Sequence, residues 1–261
     1  MDRNNIDKIA QTQEDRLLLA KLWDKIQPGI HRNIPANTAF LSPREQEMAR
    51  MLFGSVPGLM YFGGYEDAER KMLVYLPDYL PEGSLAEEGS PVVCLRAAFY
   101  HTESPTHRDF LGALMGAGIR RECIGDICVG EGSCDFFVTE EISQYLLEQF
   151  DSAGRVKLKL SSIPLQEANI PLPEFTEIRD TVASLRLDSV IASGFRIGRS
   201  LACEAILAGK AAIDGLPCEK PDRQVAAGMK ISLRGHGKIK LESVGGQTKK
   251  GRISVVIHRY I

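Results

Sequence analysis

The 261-residue sequence predicts an α+β protein, and three changes of pattern along the chain support that class. Apolar residues near the start recur with the 3.6-residue period of an amphipathic helix. The middle of the chain alternates strand-like and helix-like stretches, and the end combines two short helical patterns with short strands. We therefore divide the chain into a mainly helical domain at 1–72, a central domain at 73–163, a proline-rich linker at 164–180 and a last domain at 181–261.

Two helices are predicted in the first domain. Leu22 and Ile26 follow the helical period, and Pro28-Gly29 is expected to end that helix. Ser42 and Glu45 form a capping box at the start of a second helix, because each side chain can bond the backbone N–H of the other residue. These features predict a scaffold rather than a chemical site.

The central domain follows the order β-α-β-β-α-β. Its predicted strands lie at 91–100, 124–129, 134–138 and 156–162, and its helices at 106–119 and 140–150. This order is typical of a ferredoxin-like or RRM-like (RNA-recognition-motif-like) sandwich, with two helices on one face of a sheet. The Lys/Arg-Gly start of the RNA-recognition signature is missing before Phe136 and Phe137. One of these rings points away from the helices, where a covering domain would hide it as readily as a base, so base stacking is not among the predictions.

Phe110 to Ile119 contains no charged residue, so we expect both sides of this helix to be covered. Gly112 and Gly116 each cost about 1 kcal/mol in a helix interior, which favours close backbone contact at these positions.

Thr106 is expected to cap the same helix and to put Arg108 in its first turn, where a cation opposes the helix dipole. We therefore expect Arg108 to pair with Asp109 or Asp126, or to form a second RNA contact together with His107. No nucleophile or cofactor loop accompanies His101, His107 and Arg108, so no catalytic residue is predicted.

Basic residues are concentrated after residue 180. Residues 181–261 contain 14 Lys and Arg against 6 Asp and Glu, a net charge of +8, whereas residues 1–180 contain 18 against 28, a net charge of −10. A basic block on an acidic body is typical of nucleic-acid binding. A basic domain that merely complements its acidic neighbour would give the same pattern.

Two helices, at 181–194 and 199–208, are predicted to pack on strands at 210–213, 230–233 and 253–257. Arg186, Arg196 and Arg199 cluster around the two helices, where their guanidinium groups can bind phosphate oxygens in pairs. The alternative for Arg186 is a structural ion pair with Asp188. The RNA interpretation requires that these arginines and Lys210 share one face and are not neutralised by acidic neighbours.

Two basic loops extend the predicted site. Glycines in the loop 234–238 let the backbone approach a groove, and 249–252 supplies a second basic hairpin. The predicted RNA-binding residues are Arg186, Arg196, Arg199, Ser200, Lys210, Arg234, His236, Lys238, Lys249, Lys250 and Arg252. For any one cation, a solvated surface residue remains the alternative.

The segment 184–232 resembles a known RNA-binding domain. The matching residues are Ser184-Leu185-Arg186-Leu187-Asp188, Arg199-Ser200-x-Ala202, Ile206-x-x-Gly209-Lys210, Asp214-Gly215, Val225 and Gly228-Met229-Lys230-Ile231-Ser232. They are similar to the S-four (αL-type) domain named after ribosomal protein S-four. Gly198, Asp214 and Met229 depart from the residues usual in that family, but none of these departures removes a cation.

Nearly the whole chain resembles the YlmH family. The matching segments are Phe40-Leu41-Ser42-Pro43-Arg44-Glu45, His107-Arg108-Asp109-Phe110-Leu111-Gly112, Gly118-Ile119-x-Arg121-Glu122-x-Ile124-Gly125-Asp126-Ile127 and Gly245-Gly246-x-Thr248-x-Lys250-Gly251-Arg252. The resemblance implies a bacterial, cytoplasmic RNA-binding protein (with plastid relatives). It further implies ribosomal RNA and tRNA as partners, large ribosomal subunits that carry a stalled peptidyl-tRNA, and a link to the cell-division gene neighbourhood.

The leading functional hypothesis is a non-catalytic RNA-binding protein of translation rescue and quality control. One alternative is an RNA-modifying enzyme, but the only Arg-Leu-Asp motif of the pseudouridine-synthase kind lies inside the S-four-like segment. A methyltransferase would need a glycine-rich turn after a strand, and the glycines 112–118 lie inside a predicted helix. A second alternative is a division-associated scaffold that binds proteins through its acidic first two domains.

No cofactor, metal or membrane segment is predicted. The spacing of Cys123, Cys128 and Cys134 matches no zinc-binding knuckle, so buried free thiols are expected. The longest apolar stretch, 110–119, is too short to cross a bilayer. Met1 to Asn5 is polar and precedes no signal core, which favours a cytoplasmic location.

Overall fold

A computed structural model describes residues 5–86, 89–100 and 102–261. The fold mixes helices and sheets, as the sequence predicts, and divides into two compact units, Met1–Pro171 and Leu172–Ile261. In the described ranges, no helix is both long enough and apolar enough to span a membrane.

The first unit begins with three helices and a three-stranded antiparallel sheet. These elements are α1 (Ile6–Ile9), α2 (Gln13–Arg32), β1 (Ala36–Leu41), α3 (Pro43–Phe53), β2 (Leu59–Phe62) and β3 (Lys71–Tyr75), with the strand order β1-β3-β2. The capping box predicted for Ser42 and Glu45 at the start of α3 is confirmed. The sequence prediction missed these three strands, and β3 crosses the expected boundary between residues 72 and 73.

The prediction that Pro28-Gly29 ends helix α2 is wrong, because the helix continues to Arg32. Gly29 is buried, and a Cβ atom built on it would lie 2.5 Å from the Cβ of Ala36 on β1. The glycine is therefore required by the close approach of α2 to β1. Asn33, in the left-handed conformation, caps the helix instead.

A four-stranded sheet and two helices form the rest of the first unit. Their bounds are β4 (Val92–Ala98), α4 (His107–Gly116), β5 (Ile124–Val129), β6 (Ser133–Thr139), α5 (Glu140–Gln149) and, after the short hairpin of β7 (Ser152–Ala153) and β8 (Val156–Lys157), β9 (Lys159–Ile163). The strand order is β5-β6-β4-β9, and each neighbouring pair is antiparallel. Short 3-10 helices lie at Glu82–Ala86, Arg121–Cys123 and Leu165–Glu167.

Both faces of this sheet are covered. Phe136 packs with Phe110 on the face that carries α4 and α5. Phe137 points the other way and packs against Phe40 and Met72 from the three-stranded sheet. Both rings of β6 are fully buried, so neither is available to stack on a base.

Helix α4 is covered on one side only. Phe110 and Leu114 are buried, whereas Met115 is 46% exposed. Cβ atoms built on Gly112 and Gly116 would meet no atom within 4 Å among the described residues. The prediction that these glycines mark a close backbone contact is wrong, because the outer side of α4 has no packing partner in the described parts of the chain.

The second unit is a six-stranded antiparallel sheet with two helices. Its elements are β10 (Phe175–Val182), α6 (Leu187–Phe195), α7 (Arg199–Leu207), β11 (Ala211–Ile213), β12 (Leu216–Pro217), β13 (Lys230–Leu233), β14 (Gly237–Gln247) and β15 (Ile253–Tyr260). The strand order is β10-β15-β14-β13-β11-β12. Helix α6 contacts β10, β14 and β15, and its buried Val190 and Ile191 share a core with Ile239 and Ile257.

Strand β10 occupies residues that were predicted as linker and as helix. Ile178 and Val182 are the buried residues of β10, four positions apart. Residues four positions apart lie on the same face of a strand and also on the same face of a helix, so this spacing alone does not distinguish a strand from a helix. All eight residues of β10 pair with β15, and this pairing favours a strand over the predicted helix. Helix α6 begins at Leu187 and not at Thr181.

Candidate nucleic-acid interface

A buried aspartate holds two arginines where α6 and α7 begin. Asp188, the second residue of α6, has only 1% of its surface exposed. Arg199 donates from Nε and Nη2 to Oδ2 of Asp188, at 3.0 and 2.9 Å. Arg186 donates from Nε to Oδ1 at 3.3 Å and from Nη2 to Oδ2 at 3.4 Å. The Cys203 thiol donates to the same Oδ2 at 3.5 Å, so one carboxylate fixes both guanidinium groups.

This arginine pair keeps a positive charge at the surface. Two guanidinium groups face one carboxylate, a formal net charge of +1, and the Arg186 and Arg199 side chains are 37% and 52% exposed. Burial raises the pKa of Asp188, but hydrogen bonds from Arg199 and Arg186 outweigh burial, and the pKa lies below its usual value. The ion pair proposed as the alternative for Arg186 is therefore present, with a second arginine on the same acid.

The start of α7 adds backbone donors beside Arg199. No side chain caps this helix after Gly198, and its first turn contains no acidic residue. The first amides of a helix have no partner inside it and carry the positive end of the helix dipole. Ser200 is exposed in the same turn. An anion in contact with Arg199 can therefore also accept hydrogen bonds from these amides.

A second basic group lies around the turn between β13 and β14. The carbonyl of Lys210 accepts a hydrogen bond from the Arg234 amide at 2.9 Å, and both side chains are exposed. The His236 ring lies 5.9 Å from that of Phe195, at the end of α6. Arg196, the next residue, lines one cavity together with His236. Within the described ranges, neither Arg196 nor Lys210 forms an ion pair with an acidic side chain.

Four of the predicted residues lie outside both basic groups. Lys238 leaves β14 on the face opposite α6 and α7, because its neighbour Ile239 points into the core. Arg252 donates from Nε to Oγ1 of Thr181 at 2.9 Å and from Nη2 to the Thr181 carbonyl, which ties it to β10. Lys249 and Lys250 are exposed in the turn between β14 and β15. An RNA contact by any of these residues stays a prediction.

Arg108 is exposed in the first turn of α4, but its predicted ion pair is wrong. The carboxylate of Asp109 accepts hydrogen bonds from Thr106 in a capping box. The carboxylate of Asp126 accepts from the Tyr65 hydroxyl and from two backbone amides. Among the described residues, neither acid forms an ion pair with Arg108.

His107, the first residue of α4, is exposed next to Arg108. Partial burial lowers its pKa, and the nearby positive charge of Arg121 lowers it further. His101, on the other side of the same turn in sequence, lies outside the described residues. A second RNA contact at His107 and Arg108 stays a prediction.

Sequence reasoning missed two residues, Arg259 and Tyr260, that line the cavity shared by Arg196 and His236. Arg259 lies two positions after Ile257 on β15 and so faces the same side of the sheet, where its guanidinium carbon is 5.6 Å from the centroid of the Phe195 ring. The sequence pattern could have revealed Arg259, because it follows the alternation of the buried residues of β15. Charged residues are rarely placed on a core-facing side of a strand without a partner.

Four of the six cysteines are buried thiols, as predicted: Cys94, Cys123, Cys128 and Cys134. Burial raises the pKa of Cys94 to about 12 and that of Cys128 to about 11. Cys203 and Cys218 are partly exposed. In the described ranges, no group of three or more His, Cys, Asp or Glu residues is placed to hold a metal ion.

The chain is similar to known proteins in its sequence and in its fold. The family model described as "Putative RNA-binding domain in YlmH" matches residues 100–167. The chain is 36% identical over 225 residues to the "Ribosome-associated protein quality control protein P2" of Bacillus subtilis (strain 168), which covers 85% of this chain and 86% of that protein. The solved structure of "Cell division protein ylmH from Streptococcus pneumoniae" has a TM-score of 0.49 and 23% identity, over 62% of this chain and 98% of that one. On the identity to the Bacillus protein over most of both chains, together with the matched domain, this chain belongs to the YlmH family.

Proposed function

We propose that this protein is a non-catalytic RNA-binding protein of ribosome-associated quality control. In this proposal the second unit is an S-four-type module that binds structured ribosomal RNA, tRNA or both on the large ribosomal subunit. The name of the Bacillus relative supports the ribosomal role, and the description of the matched family domain supports RNA binding. The proposal implies a cytoplasmic location.

The arginine pair on Asp188 carries the proposal. A folded RNA presents fixed phosphate oxygens, and a guanidinium that is already oriented loses less freedom when it binds them. Arg186 and Arg199 are oriented by one buried acid yet remain partly exposed. The open start of α7 adds amide donors and a positive dipole at the same place.

The segment matched by the family model is a weaker electrostatic candidate. Residues 100–167 contain 6 Lys and Arg against 11 Asp and Glu, a net charge of −5. Its sheet, the RRM-like part of the proposal, is covered on both faces. We propose that its contribution to RNA binding is limited to His107 and Arg108 at the exposed start of α4. The acidic remainder of the first unit is then available for protein partners.

Co-sedimentation tests the proposal. Purified full-length protein is centrifuged with small subunits, with empty large subunits and with large subunits that carry peptidyl-tRNA. The wild type should sediment with large subunits, and the Arg186→Ala/Arg199→Ala double variant should bind them roughly 10- to 100-fold more weakly, because each lost pair of charge-assisted bonds costs about 1 kcal/mol or more. Cross-linking and sequencing of the bound RNA then identifies the contacted RNA.

The matched control is Arg16→Ala/Arg179→Ala, which removes the same number of guanidinium groups from exposed ion pairs elsewhere. This control should retain binding. Equal loss in both double variants would show that only total charge matters. Binding of the wild type to small subunits alone would contradict the proposed target.

A further inference from the structure

A cavity of about 450 Å³ opens in the second unit where α6 ends. Its walls are formed by β10, by the end of α6, by the turn before β14 and by the end of β15. The lining residues are Thr176, Ile178, Arg196, His236, Arg259, Tyr260 and Ile261. The volume lies within the range of small-ligand pockets, and none of the described Asp and Glu residues lines it.

One buried ring organises the cationic wall of this cavity. Phe195 is the last residue of α6 and is 4% exposed. The Arg259 guanidinium carbon lies 5.6 Å from the ring centroid, and the His236 ring lies 5.9 Å from the same ring. These contacts position Arg259 and His236 before any ligand arrives, since a cation over a ring face and a tilted ring pair are both attractive arrangements.

Arg196 completes the wall from a strained position. Its φ angle is 55°, the left-handed conformation that glycine favours at a helix end. An L-residue other than Gly, Asn or Asp costs roughly 1–2 kcal/mol there. Strained residues of this kind are concentrated at functional sites, and here the strain presents a guanidinium to the cavity.

The chemistry of the wall selects a ligand with both an anion and a flat ring. Arg196 and Arg259 supply fork-shaped donors for phosphate oxygens. His236 supplies a planar ring on which a base can stack, as aromatic residues do in single-strand recognition. A base that remains paired within a duplex cannot enter a concave pocket, whereas an extruded nucleotide can.

We propose that this cavity binds one unpaired nucleotide of the RNA, with its phosphate on Arg196 and Arg259 and its base against His236. The inference rests on the proposed RNA binding and adds to it a preference for a bulge or loop. Arg196 and Arg199 are three residues apart and so at most about 11 Å apart at their Cα atoms. The arginine pair and the cavity can therefore contact neighbouring parts of one RNA.

Two fluorescein-labelled RNA hairpins with the same stem test this inference by fluorescence anisotropy. One hairpin is fully paired, and the other carries a single bulged adenosine. The full-length wild type should bind the bulged hairpin about ten-fold more tightly, in line with the strength of base–aromatic stacking. Arg196→Gly should abolish that preference and reduce binding of the paired hairpin only slightly. Arg179→Ala, an exposed arginine in the same unit, should keep the preference.

Arg196→Gly is suited to this test because glycine is favoured at the φ angle of residue 196, so the variant is expected to fold. Equal wild-type binding of both hairpins, or a preference that survives Arg196→Gly, would overturn the inference and leave the proposed function intact. Binding of neither hairpin would overturn both. Complete displacement of the bulged hairpin by millimolar AMP would overturn the RNA assignment in favour of a free nucleotide, and resistance to AMP would support it.

Discussion

Asp188 is buried in a basic protein unit, and its burial needs a compensating interaction. The carboxylate accepts hydrogen bonds from two guanidinium groups, from the Cys203 thiol and from the Ser189 hydroxyl. Burial raises the pKa of the carboxyl group, but the bonds from the arginines and the thiol lower it below its usual value. The interaction also orients the arginines, because the two oxygens of Asp188 accept hydrogen bonds from both guanidinium groups. The positions of Arg186 and Arg199 therefore depend on a residue that no RNA needs to touch.

The Asp188→Asn substitution distinguishes the effect of arginine orientation on RNA binding from the effect of the net charge of the unit. The variant raises the net charge of the unit by one, so a model based on charge alone predicts tighter RNA binding. We expect the opposite, about ten-fold weaker binding to large subunits, since a neutral amide cannot hold two guanidinium groups in charge-assisted bonds. Urea denaturation should show a loss of roughly 2 kcal/mol in the free energy of unfolding, because a buried charge pair loses one partner. Tighter binding by a folded variant would contradict this account.

Arg196 adopts a backbone conformation that its side chain disfavours. We expect Arg196→Gly to raise the free energy of unfolding by roughly 0.5–1 kcal/mol, because relief of the left-handed strain exceeds the entropy that glycine loses on folding. Urea denaturation of the variant and the wild type gives the difference. A destabilised variant would mean that the Arg196 side chain contributes packing that outweighs the strain.

At the scale of single elements, α4 has a bare outer side. Its two glycines have no neighbour within 4 Å among the described residues, so their presence is not explained by packing. We expect Gly112→Ala to raise the free energy of unfolding by about 0.5–1 kcal/mol, which is the helix-propensity difference between the two residues. Thermal or urea denaturation measures it.

Gly118 provides the matched control for this helix. It follows α4 with a φ angle of +82°, which alanine disfavours. Gly118→Ala should therefore destabilise the protein by roughly 1 kcal/mol, although a Cβ there also meets no described atom within 4 Å. Destabilisation by Gly112→Ala as well would indicate a covering contact on the outer side of α4 after all.

Helices α2 and α3 are joined by an ion pair that responds to pH. Arg44 donates from Nη1 and Nη2 to the two carboxylate oxygens of Asp15, at 2.7 and 2.8 Å. This bidentate pair is the main reason that the pKa of Asp15 falls from 3.8 to about 2. Asp15 also closes the capping box of α2, so one carboxylate supports both the start of α2 and its contact with α3.

The lowered pKa of Asp15 predicts a specific acid response. Its stabilising contribution is complete above about pH 4, the unfolded pKa, and is lost as the pH falls toward 2. The wild type should therefore exceed Asp15→Asn by roughly 2 kcal/mol in unfolding free energy at pH 7, and the difference should shrink below pH 4. Urea denaturation at pH 7, 5 and 3 gives the three values. A difference that is constant across this range would contradict the assigned pKa.

At the scale of the molecule, the sequence predicts correctly those elements that interactions between neighbouring residues determine. The capping box at Ser42 and the strands at 124–129 and 134–138 are encoded by neighbouring residues and appear as expected. Pro28-Gly29 was misread as a helix end because its cause, the contact of Gly29 with Ala36, lies on another element. β10 was misread because its partner, β15, lies over 70 residues away in sequence.

The candidate site shows the same division. Residue type and resemblance are enough to predict the arginines of the site, and the closeness of Arg186 and Asp188 in sequence is enough to predict their pairing as an alternative. Sequence reasoning could not see that Arg199 would share that acid, because the two helices meet only in the folded unit. For the same reason it missed Arg259, and it grouped Lys238 with residues on the other face of the sheet.

The salt dependence of binding to large ribosomal subunits tests the central claim, that cations of the second unit bind RNA phosphates. Binding is measured between about 50 and 200 mM KCl at constant Mg²⁺, and with about five phosphate contacts the plot of log affinity against log salt should have a slope of roughly −3.5 to −4.5. Arg186→Ala/Arg199→Ala should reduce the steepness by about 1.4–1.8, the share of two contacts. A flat wild-type response, or a double variant with the wild-type slope, would contradict the claim.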